Sequence, residues 1–203
     1  MNRDDFLIEA NELLEKLDHE NIRIFDATQT ESQYGQGHIP GAAFFDHDRF
    51  SDPNGTYMCT ILPEDALVAQ IGQAGICTDS EVVIYACGML PYAARAWWVL
   101  RYAGHKNVRV LNGGLDAWMK AGGKTEQTVR QYEPCIFKGQ IDPTMFASKE
   151  EILASMQDDD VVTVDVLPLV SYEGAHIPGS ICLPCLDLMS TMDYFLPQDQ
   201  LAV

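Results

Sequence analysis

Positive charge is what this chain has least of. Thirteen Lys and Arg residues stand against 30 Asp and Glu, a formal net charge of -17 at pH 7. No Lys/Arg cluster offsets that field, which argues against nucleic acid or an anionic membrane surface as a partner and against long-range steering of anions. Long apolar runs are also missing. Nothing approaches the ~20 residues that span a bilayer, and the amino terminus carries no apolar signal segment. Six cysteines in 203 residues make no dense disulfide framework, which points to a reducing cytoplasm. What is present is the apolar share, 47%, of a globular protein able to build a core.

The stretch Glu81 to Trp98, EVVIYACGMLPYAARAWW, organises the rest. Val82, Val83, Ile84 and Tyr85 form the short apolar, β-branched run of a strand buried on both faces of a parallel sheet. Ala86 and Cys87 end it, Gly88 and Pro91 punctuate the next few residues, and helical spacing is recovered from Tyr92 through Trp97, Trp98, Leu100 and Tyr102. Cys87 is thereby placed at a strand's carboxyl end, facing a helix start. That edge of an open α/β sheet is where ligands bind, and loop amides with a helix N-terminus favour an anion there. A thiol so placed ionises more easily. The competing reading of a cysteine at this position is simple packing.

Before this stretch, Met1 to Glu20 reads as an amphipathic helix with Phe6, Leu7, Ala10, Leu13, Leu14 and Leu17 on one face. Strands are expected over Ile22 to Phe25, ending at Asp26, and over Ala42 to Phe45. A helix opens at Leu62-Pro63-Glu64-Asp65, with Pro and acids in its first turn, and Gly72 and Gly75 close it. After the central helix come a strand, Val108 to Leu111, the turn Asn112-Gly113-Gly114, and a helix carrying Leu115 and Trp118. Lys124 to Glu133 reads as a polar linker.

Then the pattern restarts. Phe146 to Met156 repeats the opening helix, Val161 to Val164 with Asp165 repeats the strand ending at Asp26, and His38-Ile39-Pro40-Gly41 recurs as His176-Ile177-Pro178-Gly179. Leu62-Pro63-Glu64-Asp65 recurs as Leu196-Pro197-Gln198-Asp199. An offset of about 135 to 140 residues exceeds any solenoid period and means two similar domains in tandem. The expected domains are 1–130 and 140–203, the second without counterparts of the central strand and the Cys87 loop.

The paired HIPG turns, FFDHDRFSDP, RAWWVLRYAGHKNVRVLNGGLDAW and the tandem layout together resemble the rhodanese superfamily, in particular its two-domain thiosulfate and 3-mercaptopyruvate sulfurtransferases. The resemblance implies an α/β fold, a central parallel sheet flanked by helices, with an incomplete second copy. It implies a sulfurtransferase that moves sulfane sulfur from a small-molecule donor such as thiosulfate to a thiol or cyanide through a cysteine persulfide, in the cytoplasm that the cysteine usage already suggests. Cys87 is then the catalytic residue, and Gly88, Met89, Leu90, Pro91 and Tyr92 form the substrate-holding loop. Neither a cofactor nor a metal is implied, and neither nucleic acid nor membrane is a partner.

The departures from that family define the alternatives. In two-domain members the catalytic cysteine normally lies in the second domain, beyond Val203 here, so a fragment of a longer sulfurtransferase and a catalytically silent binding scaffold are the rival readings. Pro91 has no amide to donate and the loop holds no basic side chain. Asp165 to Tyr172 lacks the arginines of mercaptopyruvate-binding members, so a substrate carboxylate would miss its bidentate partners. A Cys-based phosphatase needs Arg where Ala93 stands. Cys182-Leu183-Pro184-Cys185 has no second pair at zinc spacing. His38 and His176 are expected to stabilise their turns, and Trp97, Trp98 and Trp118 to pack.

Overall fold

The structure, a computed structural model, describes residues 3–201 and forms two compact units, Met1–Asp142 and Pro143–Val203. The first is built on a five-stranded, wholly parallel sheet. In chain order its elements are β1 (Leu7–Ile8), α1 (Ala10–Lys16), β2 (Ile22–Asp26), α2 (Glu31–Tyr34), β3 (Ala43–Phe44), α3 (Glu64–Gln73), β4 (Glu81–Tyr85), α4 (Leu90–Tyr102), β5 (Val108–Leu111) and α5 (Gly114–Lys120). The strand order is β1-β5-β4-β2-β3. Chain progression therefore reverses between β2 and β4, which makes their carboxyl ends the switch point of the sheet.

The central strand is buried as its composition requires: Val82, Val83, Ile84 and Tyr85 are all wholly inaccessible. Burying each such side chain stabilises the fold by about 1.5–3 kcal/mol. Ile24, Val83, Tyr85, Leu111 and Trp118 share one core cluster with Leu13 of α1. Trp118 packs there and spends its indole N–H on the Lys124 carbonyl at 2.7 Å. At the amino-terminal edge Arg109 bridges Glu12 and Glu81 at 2.8 and 2.7 Å, tying α1 to the starts of β4 and β5. Although burial raises the pKa of both carboxyls, Arg109 and Lys16 outweigh it and hold them below the usual range.

Two expectations about local structure need correction. The opening helix is not continuous: Leu7 and Ile8 form an edge strand paired with Val110 and Leu111, and helix begins only at Ala10. Phe6, Leu7, Ala10 and Leu13 fit a helical period, yet the open edge of β5 offers backbone partners that an isolated first turn cannot. Helix α4 begins at Leu90, earlier than Tyr92, because proline is well accommodated in a first turn.

Lys124 to Glu133 is not a free tether. Residues 124–142 form a strap across the first unit. Glu126 exchanges backbone hydrogen bonds with His38, both 2.9 Å, and Arg130 bridges to Ala43 at the β3 edge. The Tyr132 hydroxyl accepts from Ile24 N at 3.0 Å and donates to Gly41 O at 2.9 Å. Further on, Cys135 N donates to Gly72 O at 2.9 Å, Phe137 is buried, and Asp142 N reaches Tyr102 O at 2.8 Å. The strap covers the otherwise open β3 edge. Cys135 is also joined to Cys77 by a disulfide, with Cα atoms 5.6 Å apart. A reducing compartment leaves no standing disulfide to expect, and this one connects two segments that nothing in their spacing pairs.

The second unit carries α6 (Lys149–Ser155), β6 (Val164–Asp165), α7 (Leu169–Gly174), β7 (Ile181–Cys182) and α8 (Gln198–Leu201). β6 and β7 pair in parallel, Asp165 opposite Cys182, as β2 and β3 pair with Asp26 opposite Phe44. The two HIPG turns share one construction. Tyr34 stacks on His38 at 3.9 Å and Tyr172 on His176 at 4.0 Å, each histidine Nδ1 meets the tyrosine carbonyl, and each tyrosine hydroxyl donates to a carbonyl eight residues on. These histidines hold turns. α6 starts with a capping box between Ser148 and Glu151. Val162, Val166, Leu169, Val170 and Ile181 are exposed. Among the described residues no helix is long and apolar enough to cross a membrane.

The strap makes a sign prediction at Gly72. In a free helix Gly→Ala stabilises by about 0.5–1 kcal/mol. Here a Cβ would run into the Cys135 carbonyl oxygen, which is backbone and cannot swing aside. Gly72→Ala should therefore lower stability by about 1–3 kcal/mol in thermal unfolding. A stabilised variant would contradict the strap's placement.

Candidate active site

The carboxyl ends of β2 and β4 are fastened together by Asp26 and Tyr85. The two residues lie side by side in register, and Ala27 N donates to Tyr85 O at 2.7 Å. The Asp26 carboxylate accepts Thr28 N at 2.9 Å and is hydrogen-bonded to the Tyr85 hydroxyl, which in turn accepts Ile39 N at 3.0 Å. Asp26 is 1% exposed. Burial pushes its carboxyl up to about 6, against the lowering effect of the hydrogen bonds from Thr28 and Tyr85 and of nearby His38. The strand ends at Tyr85, and Cys87 follows two residues on.

The connection from β4 to α4 is the buried Ala86 followed by the exposed Cys87, Gly88 and Met89, because Leu90 is already helical and its side chain is buried. Gly88 has φ +71 with open space where a Cβ would be, so the left-handed backbone, and not crowding, calls for glycine. Met89 occupies the N-cap position and provides no side-chain cap. The first-turn amides of α4 are thus not closed off by a capping oxygen, which leaves them suited to an anion. Their number is limited. Pro91 has no N–H and Tyr92 N is committed to Met89 O at 3.1 Å, so beyond the cysteine the loop offers at most the amides of Gly88, Met89 and Leu90. The six positions Cys87 to Tyr92 are thus brought together as three loop residues and the first turn of a helix.

One wall beside this loop has no forewarning in the sequence. Arg95, on α4, donates from Nη1 to His47 Nδ1 at 3.2 Å and from Nη2 to Ser51 Oγ at 3.0 Å and Cys59 O at 3.1 Å. His47 Nε2 donates to Ala27 O at 2.9 Å, so the network assigns its proton to Nε2 and leaves Nδ1 to accept from Arg95. Burial lowers the His47 pKa, the Ala27 carbonyl opposes this, and the Arg95 charge lowers it further. Tyr92 packs against the same imidazole, ring centroids 5.4 Å apart. Arg95 therefore fastens the segment from His47 to Cys59 to the helix that starts at the Cys87 loop. The signal available was FFDHDRF beside RAWW, but nothing in spacing pairs residues so distant in sequence.

Other candidate positions lie elsewhere. Cys182 and Cys185 are free, and burial followed by Asp165, Asp187 and Glu173 raises the Cys182 pKa, disfavouring the thiolate that metal or redox chemistry uses. A cleft of about 490 Å³ sits at the opposite, amino-terminal edge of the sheet, where Lys16 and Arg109 both pair with Glu81. It does not contain Cys87.

The Asp26 pKa has a consequence for stability. A folded-state value of about 6 against an ordinary 3.8 means that the fold prefers the protonated acid, so stability falls as pH rises from about 4 through 6. Asp26→Asn keeps the acceptor for Thr28 N and cannot ionise. Relative to wild type it should gain about 2 kcal/mol between pH 4 and pH 7 in denaturant titrations. Parallel pH profiles for the two proteins would contradict this.

Comparisons with known proteins agree with the geometry. The family described as "Rhodanese-like domain" matches residues 9–121, which includes the whole sheet from β2 through β5 and the Cys87 loop. Thiosulfate sulfurtransferase of Cricetulus griseus is 30% identical over 83% of this chain and 64% of its own length. 3-Mercaptopyruvate sulfurtransferase of Homo sapiens is 30% identical over 91% of this chain and 63% of its own. The chain thus spans less than two thirds of either relative. The crystal structure of SseA from Escherichia coli, described as a 3-mercaptopyruvate sulfotransferase, superposes with a TM-score of 0.89 at 25% identity, covering 97% of this chain and 80% of that one. With more than half of its residues matched by the family and its parallel sheet turning into a cysteine loop at the switch point, the chain belongs to the rhodanese family.

Proposed function

We propose that the chain is a sulfurtransferase that carries sulfane sulfur on Cys87. The observation that supports this most is the position of the thiol: exposed, at the carboxyl end of the central strand, beside the switch point of the sheet and three residues before the helical Leu90. The Cys87 thiolate attacks the outer sulfur of a donor such as thiosulfate. The donor S–S bond breaks, sulfite leaves with the electron pair, and Cys87 becomes a persulfide. An acceptor thiol or cyanide then attacks the outer sulfur and returns the Cys87 thiolate. The amides of Gly88, Met89 and Leu90 are the groups able to hold the negative charge during both steps. The names of the relatives, thiosulfate and 3-mercaptopyruvate sulfurtransferase, support the reaction class.

Donor choice depends on the groups that surround the anion. Asp165 to Tyr172 has no arginine to pair with a carboxylate, which favours thiosulfate or a protein persulfide over mercaptopyruvate. With at most three loop amides, and a net charge of -17, capture of a dianion should be slow. The same shortage of donors favours the second reading, a rhodanese-like binding module without turnover.

Mass spectrometry after incubation with each donor tests the proposal. The expected result is one added sulfur on the peptide containing Cys87, formed faster from thiosulfate than from mercaptopyruvate and lost in Cys87→Ser. No sulfur on Cys87, or equal transfer by the variant, leaves the binding module; a clear preference for mercaptopyruvate overturns the donor assignment.

A further inference from the structure

The strap is held in two different ways. Along most of its length it is held by hydrogen bonds and buried rings: Glu126 to His38, Tyr132 to Ile24 and Gly41, and Phe137 beside the buried imidazole of His105 at 5.8 Å. At one point it is held covalently. Cys135 is bonded to Cys77, which lies just past the turn after α3. Hydrogen bonds flank the bond on both sides, from Cys135 N to Gly72 O at 2.9 Å and from Lys138 N to the Thr78 hydroxyl at 2.8 Å, while Cys77 N is fixed by Ser80 Oγ at 3.0 Å. Both half-cystines are partly exposed. Cys59, Cys182 and Cys185 are free thiols in the same structure. The bond joins segments 58 residues apart, so among the described residues it is where thiol reagents and strap position meet.

We propose that Cys77–Cys135 is a reversible clasp, opened by low-molecular-weight thiols, whose closure fixes the strap over α3 and the β3 edge. This goes beyond the sulfurtransferase reading and does not depend on it. A thiolate attacks one of the two sulfurs, the S–S bond breaks, and the other cysteine leaves as a thiolate that takes up a proton. A second thiol resolves the mixed disulfide, so that two reagent thiols become one reagent disulfide and Cys77 and Cys135 become thiols. The reagent disulfide runs the exchange backwards. Opening removes the only covalent hold on the strap among the described residues. The remaining contacts are the noncovalent ones above, and the strap is also one wall of a groove of about 250 Å³ along β3, where Arg130 and Tyr132 face Phe44 and Gln70. An open clasp therefore loosens that wall and uncovers the strand edge.

Trypsin reads the strap directly, since Lys124, Arg130 and Lys138 all lie on it. The full chain is equilibrated in reduced and oxidised glutathione, and its thiols are counted by alkylation and mass spectrometry before limited digestion. The expected result is a two-thiol difference confined to Cys77 and Cys135, cleavage at Arg130 and Lys138 about tenfold faster when the clasp is open, and a melting temperature several degrees lower. Reoxidation should restore both. Cys135→Ser should digest like the reduced protein in either buffer, and Cys87→Ser should retain the full response, which separates the clasp from sulfur loading. A pair that stays reduced in oxidised glutathione, a pair that reduced glutathione cannot open, or equal digestion in both states overturns the proposal.

Discussion

The buried carboxyl of Asp26 is the constraint on which the arrangement of the site depends. It lies at the end of β2, shares the Tyr85 hydroxyl with Ile39 of the first HIPG turn, and stands in register with the last residue of β4. Three segments far apart in sequence are thereby fixed at one point, two residues before Cys87. An ionised carboxylate in that environment is costly, and the rise of its pKa to about 6 measures how far burial outweighs the hydrogen bonds from Thr28 and Tyr85. The second unit repeats the local form at Asp165, whose carboxylate accepts Leu167 N at 2.9 Å, but there the residue is only half-buried.

Around that point the site is layered. Nearest the strand ends is the short Cys87 loop, with glycine supplying the left-handed turn and an uncapped helix start supplying amides. Beside it the neutral His47 ties the Ala27 carbonyl to Arg95, so a guanidinium that could serve an anion is used to hold a loop instead. Within the loop itself no side chain is basic, so positive potential there comes from backbone dipoles, within a strongly acidic protein. Under the proposed function, that balance would favour a thiol-bound sulfur over a small dianion.

Much of this was legible in the residues. Four consecutive apolar positions at Val82 to Tyr85 gave a doubly covered strand because only a central parallel strand buries both faces, and Val108 to Leu111 was equally plain. The histidine turns were legible because they occur twice. What escaped were features decided by partners distant in sequence. Leu7 and Ile8 satisfy a helical period and became a strand because β5 had a free edge. Lys124 to Glu133 is polar enough to read as a tether, yet its hold comes from backbone groups and a tyrosine hydroxyl, which composition does not reveal. The bond between Cys77 and Cys135 and the contact between Arg95 and His47 depend on the same long-range folding.

The central claim is that the loop from Cys87 to Leu90 is a seat for a sulfur-bearing anion. Its most direct test is a crystal structure of the protein after treatment with a sulfur donor. The account predicts one additional sulfur on Cys87 Sγ, within hydrogen-bond distance of the amides of Gly88, Met89 or Leu90, with the Asp26–Tyr85 pair unmoved. An unmodified Cys87 beside sulfur bound to another cysteine would contradict it.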